Sequence, residues 1–106
     1  MKVEVTARHM EVTDLVKDYA YEKVERLEKF FDNIRKMEVI LDKEKTNERY
    51  TAEMIASATK GQVLVCHSTD VSATAALDMV ADKMERQLNR FKEKLRKRTT
   101  DSVRRP

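Results

Sequence analysis

Five cationic side chains recur every three or four residues near the end of the chain, and we call them the cation strip. They are Lys83, Arg86, Arg90, Lys94 and Lys97. At about 100° per residue, this spacing places all five on one flank of a helix. Cations repeated along a helix of about 40 Å can contact successive phosphates of a nucleic-acid backbone. The alternative is an ordinary solvated helix face, and the spacing alone leaves both interpretations open.

The helix that carries the cation strip is predicted over residues 71–98, where no glycine or proline interrupts the chain. Its apolar residues also recur at helical spacing, which is typical of a helix that packs on a core. They are Leu77, Val80, Ala81, Met84, Leu88, Phe91 and Leu95. The flank opposite the strip is mainly acidic and contains Asp78, Asp82 and Glu85. The two flanks of this helix therefore differ in charge.

An earlier helix, predicted over residues 14–31, repeats this polarity in a weaker form. Thr13 is its predicted N-cap, and its apolar stripe consists of Val16, Ala20, Val24, Leu27 and Phe31, with the membership of Phe30 left open. Lys23, Arg26 and Lys29 lie to one side of that stripe. If both helices cover one face of a sheet in the same direction, one basic flank lines the groove between them. The other basic flank then faces outward along the edge of the domain.

Four strands with alternating apolar residues are predicted over residues 2–8, 35–44, 50–59 and 62–68. The fold class is α+β with the order β-α-β-β-β-α, and both helices cover one face of a four-stranded sheet. The residues predicted to face the helices are Val3, Val5, Met37, Val39, Met54, Ala56 and Leu64. The domain spans residues 1–98, and residues 99–106 are predicted to be a disordered basic tail.

The other face of the sheet is predicted to be open to solvent, with Ile40, Ile55, Val63 and Val65 on it. Scattered exposure of such residues is common in monomeric proteins. A weak homodimer through this face is the alternative use of the same residues.

Composition limits the range of functions. The chain has 106 residues, and the region from Val71 onward has 10 Lys and Arg against 5 Asp and Glu. This concentration of positive charge favours an anionic partner, with nucleic acid ahead of a membrane. A single cysteine, Cys66, excludes an internal disulfide, and a cytoplasmic location is expected. No apolar run is long enough to predict a membrane span.

The sequence contains no pattern that indicates catalysis. A nucleophile elbow, a Walker motif and a paired-carboxylate arrangement are all missing from it. Neither His9 nor His67 has partners at metal-ligand spacing, and Cys66 alternates with Leu64 as a core residue would. We therefore expect no enzyme activity, cofactor, metal or small-molecule substrate.

Several stretches resemble a known family in the same order along the chain. They are VTARHMEVT at 5–13, LEKFFDNI at 27–34, AALD at 75–78, DKMERQL at 82–88 and KEK at 92–94. Together they resemble the bacterial ribosome hibernation-promoting factors over residues 1–95. Family members often have a tyrosine where this chain has Thr74, and a glycine is common where it has Ala7.

The resemblance implies a fold like that of double-stranded-RNA-binding domains, with near-parallel helices. It implies binding to the small ribosomal subunit and its rRNA, in the groove that holds mRNA and tRNA. Translation would then be inhibited by steric occupancy during stress or stationary phase. The RNA-binding residues that it implies are foremost Lys83, Arg86, Arg90 and Lys94, followed by Lys23, Arg26 and Lys29. Lys97 of the strip and Arg8 complete the predicted RNA-binding set. The chain resembles a short form of the family or the N-terminal domain of a long form.

Two other hypotheses remain open from the sequence. The chain could be a general double-stranded-RNA-binding module without preference for ribosomes. It could instead be a protein–protein regulator that uses the open face of the sheet.

Overall fold

The computed structural model describes the backbone of residues 1–104 and the side chains of residues 1–94. The elements are β1 (Lys2–Arg8), α1 (Asp14–Phe30), β2 (Ile34–Lys43), β3 (Tyr50–Ala58), a single 3-10 turn (Thr59–Gly61), β4 (Val63–Asp70) and α2 (Ala73–Arg104). This order confirms the predicted β-α-β-β-β-α arrangement.

The four strands form one mixed sheet in the order β1-β2-β3-β4. β1 runs parallel to β2, and the remaining neighbours are antiparallel. A parallel pair cannot be joined by a tight turn, so α1 serves as the crossover between β1 and β2. In one row across the sheet, Val5 pairs with Val39, Val39 with Met54, and Met54 with Cys66. β1 and β4 are therefore the two edge strands.

The core lies between the two helices and one face of this sheet. Its buried members include Met37, Val39, Leu41, Ala52, Met54 and Ala56 from the strands, and Ala20, Val24, Leu27, Leu77, Val80, Met84 and Leu88 from the helices. Val3, Val5 and Leu64 are half-buried and pack against this core. All the residues predicted to face the helices thus do so, and both helices lie on the predicted single face.

The two helices run side by side in the same direction. Near the start of both helices, the hydroxyl of Tyr19 donates a hydrogen bond to Asp78. Beyond the end of α1, the ammonium of Lys92 lies 5.8 Å from the centre of the Phe31 ring. Contacts therefore advance along α1 and α2 together, as near-parallel packing requires.

The ends of α2 differ from the predicted ends. The amide of Ala75 donates to the Ser72 hydroxyl at 3.1 Å, so Ser72 caps the helix and its first turn begins at Ala73. The backbone helix continues to Arg104, past the predicted boundary at residue 98. The side chains of residues 95–106, including Leu95 and Lys97, lie outside the described part. The division into a domain over 1–98 and a basic tail over 99–106 stays a prediction.

The sequence leaves open whether Phe30 belongs to the buried stripe of α1, and the structure shows that it does not. Its side chain is 58% exposed, whereas that of Phe31 is buried. Phe31 follows the last helical residue with a non-helical backbone (φ −136°), and its amide still donates to the Leu27 carbonyl at 3.0 Å. This change of direction turns the Phe31 ring inward and leaves Phe30 on the solvent side.

Candidate nucleic-acid interface

The cation strip lies on the solvent-exposed flank of α2. Lys83, Arg86, Arg90 and Lys94 are all exposed. The residues between them on the inner side, including Met84 and Leu88, are buried in the core. The rotational position of the strip is thus fixed by the burial of the neighbouring apolar stripe, as the periodicity predicts. Lys97, the fifth member, lies outside the described side chains.

The strip is placed against the outer edge of β4. The ammonium of Lys83 donates to the backbone carbonyl of His67 at 2.9 Å. One turn further along α2, the amide of Gln87 donates to the carbonyl of Val65 at 3.5 Å. Because β4 is an edge strand, these two side chains cover carbonyl groups that would otherwise be open to another strand. The basic flank of α2 therefore faces the outside of the domain rather than the other helix.

An open groove of about 280 Å³ separates this flank from β4. It is lined by Val65, Cys66, His67, Lys83, Arg86, Gln87 and Arg90. Among residues 1–94, the ion pairs involve Lys2, His9, Lys23 and Lys36, and none includes a cation of the strip. The positive charge of the strip is thus directed toward solvent and this groove.

The basic flank of α1 has a different environment, because it faces the acidic flank of α2. The ammonium of Lys23 lies 2.8 Å from Asp78 and its side chain is only 21% exposed. Hydrogen bonds from Lys23 and from Tyr19 hold the pKa of Asp78 below its ordinary value. The same carboxylate raises the pKa of Lys23 and of Tyr19 by its hydrogen bonds. Lys23 is therefore part of a contact between the helices.

A small crevice lies between α1 and α2, and Lys23 and Arg26 line it from α1. Asp82 and Glu85 border the same crevice from α2. Arg26 and Lys29 are both exposed, so they can meet an external anion, but Arg26 does so beside two carboxylates. Lys23 and Arg26 of α1 thus lie at the groove between the helices and the α2 strip lies outside, whereas Lys29 is exposed and is not among the residues that line this groove.

Arg8 is not brought together with the other predicted cations. It is exposed at the end of β1, the edge strand farthest from β4. Its strand alternation places it on the sheet face that carries no helix, opposite Asp42 in register. Next to it, the His9 ring lies 2.9 Å from the Asp42 carboxylate. Arg8 therefore cannot form one continuous surface with the strip.

The open sheet face combines charged and apolar residues. Val63 and Val65 are 57% and 49% exposed, and Ile40 and Ile55 are half-buried. Across the same face, Lys36 lies 3.0 Å from Glu38 and bridges to Glu4. The homodimer through this face stays a prediction.

The other features considered in the sequence are Cys66, a possible metal site and a possible membrane span. The thiol of Cys66 is buried beneath the groove, and burial raises its pKa, although nearby Lys83 partly opposes this. Within the described residues, no cluster of three His, Cys, Asp or Glu side chains is arranged to hold a metal. Over the same residues, no helix is both long and apolar enough to cross a membrane.

The sequence analysis did not identify two contacts of these basic flanks, that of Gln87 with Val65 and that of Lys23 with Asp78. Gln87 lies four residues after Lys83 on the same flank, so helical spacing alone could have identified it as a neighbour of the strip. The pairing of Lys23 with Asp78 joins residues 55 positions apart in two helices, and their separate helical patterns contain no signal for it.

Comparison with known proteins agrees with this geometry. Residues 3–96 match the family described as sigma 54 modulation protein / S30EA ribosomal protein. A ribosome hibernation promoting factor of Azotobacter vinelandii is 37% identical over 94 residues, covering 89% of this chain and 85% of the relative. The factor of the same name from Escherichia coli is 28% identical over 96 residues, covering 91% and 98%.

Two solved structures have the same fold. The N-terminal domain of Thermus thermophilus Protein Y superposes with a TM-score of 0.75 and 27% sequence identity, over 86% of this chain and 99% of that one. A ribosomal subunit interface protein from Coxiella burnetii superposes with a TM-score of 0.79, over 88% and 99% of the two chains. At 16% identity, this second likeness concerns the fold alone.

Proposed function

The chain belongs to the sigma 54 modulation protein / S30EA ribosomal protein family, and from this premise we propose that it is a ribosome hibernation factor. It binds the small ribosomal subunit through rRNA, in the groove that holds mRNA and the anticodon ends of tRNA. Inhibition results from occupancy of that groove in the cytoplasm of stressed or stationary cells. The ribosome itself undergoes no covalent change.

The placement of the cation strip along the outer edge of the domain is the observation that carries this proposal. Lys83, Arg86, Arg90 and Lys94 point away from the core and are not paired with carboxylates of residues 1–94. At 1.5 Å per residue, successive strip cations are separated by about 4.5 to 6 Å along the helix axis. A straight, regularly spaced array of this kind suits contact with RNA phosphates rather than recognition of base sequence.

Near-parallel helices give the domain a second, weaker contact surface. Arg26 and Lys29 are exposed on α1, and Arg26 lies beside Asp82 and Glu85 of the acidic flank of α2. A domain with cations on α1 as well as at its outer edge on α2 can occupy a cleft that has RNA on more than one side. We therefore propose that the domain wedges into the groove, where RNA lies on more than one side of it.

Sedimentation with purified ribosomal subunits tests this proposal. The protein should pellet with small subunits and not with large subunits, and bound tRNA should reduce its binding. Chemical footprinting should then find protected rRNA bases and sugars on the walls of the mRNA and tRNA groove. Protection confined to the solvent side of the subunit, with tRNA still bound at full affinity, would contradict the proposal.

A general double-stranded-RNA-binding module is the second candidate, because the strip offers contacts that any RNA backbone could use. An excess of unrelated duplex RNA distinguishes the two functions. A ribosome-specific factor should remain on small subunits in its presence, whereas a general module should be displaced in proportion to the added duplex.

A further inference from the structure

The groove between α2 and β4 is rich in hydrogen-bond donors. Arg86 and Arg90 contribute guanidinium groups, and Gln87 contributes an amide, from one side. The carbonyls of Val65 and His67 on the other side already accept bonds from Gln87 and Lys83. A ligand that fills this groove must therefore supply acceptors, and an anion is favoured over a cation.

The edge of β4 adds further donors to the same groove. In an edge strand, the N–H and the C=O of one residue point to the same side. Since the carbonyls of Val65 and His67 point toward α2 side chains, their N–H groups face the same outer side. Such N–H groups can bind the carbonyl or ring-nitrogen acceptors of a nucleobase, which a bare phosphate does not have.

The walls and the size of the groove agree with a ligand that has both a charged and an apolar part. Val65 is 49% exposed at the lip of the groove, and Cys66 forms a buried wall behind it. The volume of about 280 Å³ lies near the lower end of the range for small-molecule sites. A phosphate alone would leave the Val65 side of the groove unfilled.

We propose that this groove binds one unpaired nucleotide, with its phosphate on Arg86 and Arg90 and its base beside Gln87, against the outer edge of β4. The inference rests on the proposed function, because the nucleotide would belong to the RNA whose phosphates the strip contacts. It adds an unpaired base to those phosphate contacts. An unpaired nucleotide can come from a bulge or single strand of RNA, or from a free nucleoside monophosphate. The base of a paired nucleotide is held in the duplex and cannot enter.

Amide chemical shifts of the ¹⁵N-labelled full chain test this assignment. Adenosine 5′-monophosphate and a single-stranded hexanucleotide should shift the amide signals of Val65 and His67. Ribose 5-phosphate should shift them much less, because it lacks the base. A duplex of the same composition should shift signals of Arg86 and Arg90 but leave the two β4 amides in place. If single strand alone shifts them, the source is RNA, and if the monophosphate does so at comparable concentration, free nucleotides also bind.

Two variants at neighbouring polar positions of α2 sharpen the test. Gln87→Leu removes the amide donors without changing the charge, and it should weaken single-strand binding about tenfold relative to duplex binding. Asn89→Leu is the matched control, because Asn89 is exposed and does not line the groove. A second groove variant, Val65→Glu, places an anion at the exposed lip of the groove and should also weaken single-strand binding. It keeps the test valid if Gln87→Leu destabilises the fold.

Specific results would overturn this inference. If the Gln87→Leu and Asn89→Leu variants bind the single strand equally well, the groove contacts phosphate only. Equal amide shifts with ribose 5-phosphate and with the nucleotide would have the same meaning. Equal shifts with a hexaglutamate peptide would make it a general anion site. Small-subunit binding without nucleotide-dependent shifts overturns this inference alone, whereas shifts without small-subunit binding overturn the proposed function alone.

Discussion

Lys23 of α1 and Asp78 of α2 form an ion pair across the two helices, with 2.8 Å between Nζ and Oδ1. The Tyr19 hydroxyl donates to the same oxygen. Lys23, one of the predicted RNA-binding cations, is therefore paired with a carboxylate of the same molecule. This pairing leaves the strip on α2 as the principal positive surface that faces a partner.

Charge reversal in the strip should abolish binding. In the triple variant Arg86→Glu, Arg90→Glu, Lys94→Glu, we expect ribosome or RNA binding to fall below detection. The fold should persist, because exposed charges contribute little to the free energy of unfolding. Sedimentation measures binding and thermal melting measures the fold. The control is the neutralised acidic flank, Asp82→Asn with Glu85→Gln, which should bind as well as the parent or more tightly, and equal loss in both variants would refute the strip.

Binding through the strip should depend steeply on salt. Each phosphate that a cation neutralises releases counterions, so the logarithm of the association constant should fall linearly with the logarithm of salt concentration. Removing one strip cation, as in Arg90→Gln, should reduce the magnitude of that slope by about one unit. Filter binding or fluorescence anisotropy at four salt concentrations measures it. An affinity that salt does not change would favour the protein–protein regulator instead.

Loss of the contact between the helices should affect stability more than binding. In Asp78→Asn, Lys23 and Tyr19 lose a charged acceptor in a partly exposed site, and we expect a loss of about 1 kcal/mol of unfolding free energy. Asp82→Asn, one turn along the same flank, should change stability by less. Chemical denaturation gives both values. A larger loss of stability in Asp82→Asn would mean that the contacts of Asp82, rather than the Lys23–Asp78 pair, hold the helices together.

The same contact predicts a pH dependence with a defined sign. The folded-state pKa of Asp78 is lowered, so its stabilisation is present above the unfolded pKa of about 4 and is lost as pH falls through the folded value. The pKa values of Lys23 and Tyr19 are raised, so their stabilisation is lost as pH rises above about 10. The stability difference between the parent and Asp78→Asn should therefore be constant near neutral pH and shrink at both extremes. A difference that peaks at acidic pH would contradict this assignment.

Cys66 should contribute packing and no chemistry. Cys66→Ala removes one buried sulfur atom, and we expect it to cost about 1 kcal/mol of stability and to leave translation inhibition intact. Because burial raises the pKa of the thiol, Cys66 should also react slowly with a disulfide reagent in the native state and rapidly once unfolded. Loss of inhibition in a variant that still folds would point to a role for the thiol.

The amino-acid sequence by itself determined the order of the elements and, apart from the position of Phe30 and the ends of α2, the face that each element buries. The spacing of Leu77, Val80, Met84 and Leu88 indicates which side of α2 lies on the core, and the strip then follows from its angular offset. Alternation in the strands likewise indicates that Val39 and Met54 face the helices. These are local properties, because 3.6-residue and two-residue periods depend only on the geometry of one element.

Only the tertiary structure decided what each basic flank faces. The flank of α1 meets the carboxylates of α2, so Lys23 pairs with Asp78, whereas the flank of α2 meets the edge of β4, where Lys83 and Gln87 bind backbone carbonyls. A helical pattern gives an angle about its own axis and contains no information on which element lies at that angle. That neighbour is determined by the strand order and the parallel packing of the helices, which arise from contacts between residues far apart in the chain.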